Sequence, residues 1–150
     1  MGTPLHGGRF MDSQQGVITQ SKYYSPIFDV AVFDGPFRIY FSQNQETVAL
    51  KTYYRIKKNL EFQFSEKVLQ QNQNVLFLMI YPDKESFSAV FNESQDNIGV
   101  GKVGDRHVVG VYREHDEEDI ETKLSQVLIS MVKSWNLAAP AANNDDILGL

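Results

Sequence analysis

The stretch with the most suggestive residue types is a glycine-rich heptapeptide, GVGKVGD, at residues 99–105. It fits the pattern G-x-G-x-x-G, which in dinucleotide-binding proteins lets the backbone approach a pyrophosphate. Such a loop needs a helix directly after it, because the helix N-terminus supplies the amide donors. The residues from Arg106 onwards, RHVVGVY, instead read as a strand. We therefore predict a hairpin turning at Gly104-Asp105, in which the glycines serve the turn and close backbone packing.

A second candidate is the acidic segment before the longest apolar stripe of the chain. His115 and Asp119 are four residues apart, so both could face one metal ion from a helix. The chain has three His and no Cys, and the segment lacks the second His of the zinc-protease pattern H-E-x-x-H. We expect no metal and no cofactor. The segment is expected to begin a helix, where acids favour the helix dipole, or to contact a basic partner. This acidic helix start comprises Glu114, Asp116, Glu117, Glu118 and Asp119.

One segment interleaves cations with tyrosines, a combination that neutralises phosphates and stacks bases. The formal net charge is −5, however, and an acidic surface repels nucleic acid. Nucleic-acid binding is therefore the last of three function hypotheses, and we expect these cations to form the solvated face of an amphipathic helix. The segment contributes Lys51, Tyr53, Tyr54, Arg55, Lys57 and Lys58.

The C-terminal residues, NNDDILGL, place acidic side chains beside apolar ones after a small-residue stretch around Pro140. Exposed apolar side chains reduce solubility unless something covers them. Acids beside apolar anchors are typical of docking peptides, in which the acids steer and the apolar side chains fill a groove. The peptide could bind a partner protein, dock on its own domain or have no role. Its candidate binding residues are Asp145, Asp146, Ile147, Leu148 and Leu150.

Strands are expected in three places. Two β-rich runs flank Asp34-Gly35-Pro36 and predict a hairpin, and the alternation in its second run indicates a half-buried strand. The apolar run at residues 75–81 predicts a central strand covered on both faces. The hairpin at Gly104-Asp105 supplies the remaining strands.

Helices are expected between and after these strands. Residues 46–58 fit both a helical and an alternating pattern, and the lack of Gly and Pro favours a helix. Asp83 can cap a short helix. The clearest helix is C-terminal and presents one apolar stripe, made of Ile120, Leu124, Val127, Leu128, Met131 and Trp135.

A chain of 150 residues with 42% hydrophobic residues is long enough for one compact domain. We predict a flexible leader at residues 1–22, a single α+β domain at 23–135 and a flexible tail at 136–150. The domain is expected to hold an antiparallel or mixed sheet of about five strands with two to four helices. No apolar run approaches the roughly 18 residues of a membrane span. We expect a cytoplasmic protein that does not bind membranes.

No catalytic constellation stands out, so we expect a non-enzymatic protein-interaction module, either an adaptor or a regulator. It would bind a protein partner through the folded domain or the C-terminal peptide. An unpaired sheet edge would also permit a homodimer. The alternative is a small enzyme or ligand-binding domain. Its pocket would be lined by Tyr53, Tyr54, His107 and His115.

Overall fold

The computed structural model of the chain describes residues 13–65, 67, 69, 74–91, 97–112 and 118–138. A short 3-10 turn precedes the second helix. The elements are α1 (Ser13–Thr19), β1 (Val30–Asp34), β2 (Phe37–Phe41), α2 (Glu46–Gln63), β3 (Leu76–Tyr81), α3 (Lys84–Ser88), β4 (Ile98–Val103), β5 (Arg106–Tyr112) and α4 (Glu118–Ala138).

The strands form one five-stranded mixed sheet in the order β1-β2-β3-β5-β4. The two hairpins, β1–β2 and β4–β5, are antiparallel, whereas β3 pairs in parallel with both β2 and β5. All six residues of β3 are buried, as expected for a central strand covered on both faces. The predicted single α+β domain with a C-terminal helix is confirmed.

The first hairpin turns where predicted, and Gly35 has a φ of +59°, a conformation that glycine adopts without strain. Phe37, Ile39 and Phe41 of β2 belong to the core beneath α2 and α4. The expected half-buried strand is wrong in one respect, because Tyr40 on the opposite face is only 2% exposed. The reason is that both faces of the sheet are covered.

Residues 46–58 form a helix, which resolves the ambiguity of the sequence pattern. Helix α2 buries Ala49, Tyr53, Ile56 and Leu60 against the sheet, which is the predicted helical set. The residues of the alternating, strand-like pattern do not all face the core, since Tyr54 is 52% exposed. Burial therefore follows the helical period.

Helix α4 lies beside α2 on the same face of the sheet. Its predicted apolar stripe is buried except for Val127, which is half-buried. Arg55 contacts Glu121, and one turn further along both helices Asn59 contacts Ser125. Because both contacts advance in the same direction, the two helices run parallel.

The opposite face is covered by an aromatic layer from the N-terminal segment and the region of α3. Ile18 of α1 is fully buried there, so part of the segment that the sequence analysis assigned to a leader packs on the sheet. Asp83 caps α3 as predicted, since its side chain accepts a hydrogen bond from the Ser86 amide at 2.8 Å. The layer comprises Tyr23, Phe28, Tyr81, Phe87 and Phe91. No helix in the described part of the chain has the length and apolar character to cross a membrane.

Candidate functional site

The glycine-rich heptapeptide forms the predicted hairpin. Gly104 lies in the turn with a φ of +65°. A side chain at Gly99 would overlap the ring of Phe91, and one at Gly101 would overlap the Tyr23 hydroxyl. The glycines of β4 therefore let the aromatic layer contact the strand, and a helix N-terminus for a phosphate does not follow them.

The same strand presents larger side chains on its other face. Ile98, Val100 and Lys102 alternate with the glycines and lie on the side of the sheet that α4 covers, since they pair with Val111, Val109 and His107 of β5. Helix α4 does not cover them fully: Val100 is 54% exposed.

A groove separates this face of β4 from α4. Its cavity volume is about 630 Å³, and it is open to solvent. The floor is apolar, while Lys123, Gln126 and Ser130 add polar groups. We call it the β4–α4 groove; its residues are Ile98, Val100, Lys123, Gln126, Val127, Ser130 and Met131.

The backbone of β4 faces outwards at the same place. The Tyr112 amide donates to the Asn97 carbonyl at 3.1 Å. Hydrogen-bonded and non-hydrogen-bonded pairs alternate along an antiparallel ladder. The N–H and C=O groups of Ile98, Val100 and Lys102 therefore point away from β5. β4 is the last strand of the sheet, and no other strand in the described part of the chain pairs with these groups, so they form an open edge along the groove.

Tyr53, a residue of the predicted alternative pocket, is 1% exposed. Its hydroxyl donates to Asp34 Oδ2 at 2.6 Å, and Lys57 Nζ donates to the same oxygen at 2.8 Å. Burial and the hydrogen bond to Asp34 raise the pKa of Tyr53 well above its ordinary value, so the hydroxyl stays protonated. The Asp34–Tyr53–Lys57 cluster thus ties α2 to the first hairpin.

The carboxylate of that cluster stays ionised. Burial alone would raise the pKa of Asp34, but hydrogen bonds from Lys57 and Tyr53 and the charge of Lys57 together lower it below 3.8. The hydrogen bond to Asp34 in turn raises the pKa of Lys57. This arrangement stabilises opposite charges in a fixed geometry, and Tyr53 offers almost no surface to a substrate.

The other residues of the predicted pocket lie apart. Tyr54 points to solvent with its ring 5.5 Å from that of Tyr53. His107 lies on β5 with its ring 6.4 Å from that of Trp135. Its Nδ1 is buried without a hydrogen-bond partner among the described residues. Burial and the charge of Lys102 lower the pKa of His107, which favours the neutral imidazole. His115 lies outside the described residues.

The basic cluster on α2 is divided between two neighbours. Lys57 contacts Asp34 of the first hairpin, and Arg55 contacts Glu121 of α4 at 2.8 Å. These two cations are therefore directed away from each other and neutralised by carboxylates. Their arrangement does not form a common surface for phosphates.

The acidic helix start is described only in part. Glu118 and Asp119 belong to α4, whereas Glu114, Asp116 and Glu117 lie outside the described residues, as does the peptide from Asn143 to Leu150. Within the described ranges, no group of three or more His, Asp or Glu side chains could hold a metal ion.

Sequence reasoning did not single out the β4–α4 groove. It placed Val127 and Met131 in the core stripe and interpreted residues 99–105 only as a turn. The available signal was the alternation of Gly99 and Gly101 with Val100 and Lys102, which indicates a strand with one bare face and one side-chain face.

The chain was also compared with known proteins. No protein-family model, no curated protein and no solved structure matches it.

Proposed function

We propose that this protein is a cytoplasmic, non-enzymatic protein-interaction module that binds an extended segment of a partner protein along β4. The observation that carries this proposal is the coincidence of the open edge with the β4–α4 groove. An added strand would pair its backbone with Ile98, Val100 and Lys102. Alternate side chains of that strand would enter the groove, as in other complexes formed by strand addition.

The chemistry of the groove defines the class of partner segment. Val100, Val127 and Met131 favour apolar side chains at every second position of the bound strand. Lys102, at one end of β4, favours an acidic residue near it. The expected partner segment is therefore extended, apolar at alternate positions and acidic at one end.

The groove suits a peptide better than a substrate. Its volume falls within the range of small-molecule sites, about 300–1,000 Å³. The groups whose pKa is shifted nevertheless do not line it; they are Asp34, Tyr53, Lys57, Tyr81 and His107. Catalytic sites usually bring such groups together in one cleft.

The direct test is selection from a peptide library displayed on phage. The targets are the full chain, a Val100→Arg variant and a Phe62→Arg control. Phe62 is 81% exposed on α2, so its replacement introduces the same charged side chain outside the groove. Because the C-terminal peptide is itself apolar, a Leu148→Asp/Leu150→Asp chain is included as a further target.

We expect the parent chain or the Leu148→Asp/Leu150→Asp chain to enrich extended, alternately apolar peptides. The Phe62→Arg chain should enrich the same peptides. Adding Val100→Arg should abolish the enrichment. Equal enrichment with and without Val100→Arg would overturn the proposal, as would the failure of every target to select a peptide.

A further inference from the structure

The C-terminal peptide of this chain has the composition that the β4–α4 groove favours. It contains two acids followed by three apolar residues, Ile147, Leu148 and Leu150. It also follows α4, which forms one wall of the groove. The direction, length and register of the peptide can therefore be compared with those of β4.

The direction is set by the end of α4. The Trp135 ring is 6.4 Å from that of His107, near the start of β5. His107 pairs with Lys102. Helix α4 therefore ends near the Lys102 end of β4. A chain that turns back from Ala138 along the open edge runs from Lys102 towards Ile98, antiparallel to β4.

The length is sufficient. The stretch from Ala138 to Asp146 spans at most about 26 Å at roughly 3.3 Å per residue. Opposed residues of neighbouring strands are about 5 Å apart, so Lys102 lies one strand spacing beyond His107. The stretch therefore has enough chain for a turn after α4 and for the return to β4.

The match between the peptide sequence and the residues of β4 is the most specific argument. In an antiparallel pair, opposed residues advance in opposite directions, and their side chains share one face of the sheet. With Asp146 opposite Lys102, Leu148 falls opposite Val100 and Leu150 opposite Ile98. One register thus pairs the acid with the lysine and both leucines with the apolar residues that line the groove.

We propose that residues 146–150 add to the sheet as a sixth, antiparallel strand on β4, with Leu148 and Leu150 in the β4–α4 groove, and so occupy the site that a partner segment would use. This inference rests on the proposed function. It makes the C-terminal peptide an internal competitor, so that a partner must displace it before binding.

The proposal is tested by disulfide trapping, for which a chain without cysteine gives no background. The matched pair is Val100→Cys with Leu148→Cys. The control pair is Val100→Cys with Ile147→Cys, because Ile147 adjoins Leu148 but would face the opposite side of the added strand. Both full-length chains are oxidised by glutathione disulfide at low protein concentration, and the products are separated without reductant.

We expect the matched pair to form an intramolecular disulfide at least about tenfold faster than the control pair, since opposed strand residues meet the required Cα separation and direction. Equal rates for the two pairs would overturn the proposal. So would a disulfide that links two molecules, because the strand would then come from a second copy.

A second measurement separates this proposal from the proposed function. A fluorescent peptide of sequence NNDDILGL is titrated into the full chain and into the Leu148→Asp/Leu150→Asp chain. We expect the variant to bind it at least about tenfold more tightly, which corresponds to removal of an internal competitor. Equal affinities for the two chains would contradict internal competition.

Failure of the self-docking proposal and failure of the proposed function would give different results. If the matched disulfide does not form but library peptides still need Val100, self-docking is wrong and the protein-interaction function remains. If the disulfide forms but the Leu148→Asp/Leu150→Asp chain binds no peptide, the proposed function is wrong.

Discussion

Arg55 donates a hydrogen bond from Nη1 to Oε2 of Glu121 at 2.8 Å, and this contact joins α2 to α4. One turn further, Asn59 Nδ2 donates to the Ser125 hydroxyl at 2.9 Å. The equal spacing on both helices fixes their relative register. This register matters for the β4–α4 groove, because the other side of α4 forms one wall of the groove.

The Arg55–Glu121 contact should show a strong coupling free energy. Glu121 is only 8% exposed, so Arg55→Met leaves its carboxylate buried without the guanidinium. We expect a loss of roughly 1–3 kcal/mol in the free energy of unfolding. The Arg55→Met/Glu121→Met chain should lose less than the sum of the single changes, as measured by denaturant unfolding. Additive losses would show that the contact contributes nothing to stability.

The Asp34–Tyr53–Lys57 cluster predicts a specific acid sensitivity. The folded-state pKa of Asp34 is below its ordinary value of 3.8. The stabilisation is therefore present above that value and is lost as the pH falls through it towards the folded-state pKa. An Asp34→Asn chain should be less stable at neutral pH by roughly 1–3 kcal/mol. Its stability should also fall less steeply below about pH 4. Unfolding curves of the two chains at pH 3 and pH 7 would test this, and parallel pH profiles would contradict it.

His107 predicts a second pH dependence, nearer neutrality. Its folded-state pKa is below the ordinary 6.5, so the folded state disfavours the imidazolium. Stability contributed by the neutral imidazole is complete above 6.5 and is lost as the pH falls through that value. A His107→Gln chain keeps His6 and His115 as internal controls. Its free energy of unfolding should change less between pH 7 and pH 5 than that of the parent chain, and an unchanged difference would contradict the prediction.

The glycines of the second hairpin should respond differently to alanine. Gly99→Ala forces a methyl group against the Phe91 ring, and overpacking of this kind costs about 1–3 kcal/mol. At Gly104 a side chain has open space, so only the positive φ opposes it, by about 1–2 kcal/mol. Thermal unfolding of both variants measures these losses. Addition of a dinucleotide should leave both melting temperatures unchanged; stabilisation by the dinucleotide would instead support a phosphate loop.

Sequence patterns predicted the elements wherever one period dominated. The stripe from Ile120 to Trp135 and the apolar run of β3 each had one interpretation. Residues 46–58 had two, and the helix prevailed because Ala49, Tyr53, Ile56 and Leu60 together cover the sheet. The glycine motif was interpreted correctly from the strand that follows it.

The candidate site could not be predicted in the same way. The β4–α4 groove depends on the sheet order, which places β4 at the edge beyond β5, and on how far α4 extends over it. Both depend on contacts between residues distant in sequence, such as Arg55 with Glu121. The acidic-apolar character of the C-terminal peptide was visible from the start, but its register against Ile98, Val100 and Lys102 requires the strand pairing.

The most direct test of the central claim is amide hydrogen exchange of Val100 and Lys102, whose N–H groups face away from β5. In the full chain we expect both amides to be protected by the added strand. In the Leu148→Asp/Leu150→Asp chain they should exchange at least about tenfold faster, while the Val109 amide in the central part of the sheet does not change. An Ile147→Asp chain should retain the protection. Fast and equal exchange of both amides in all three chains would contradict the account.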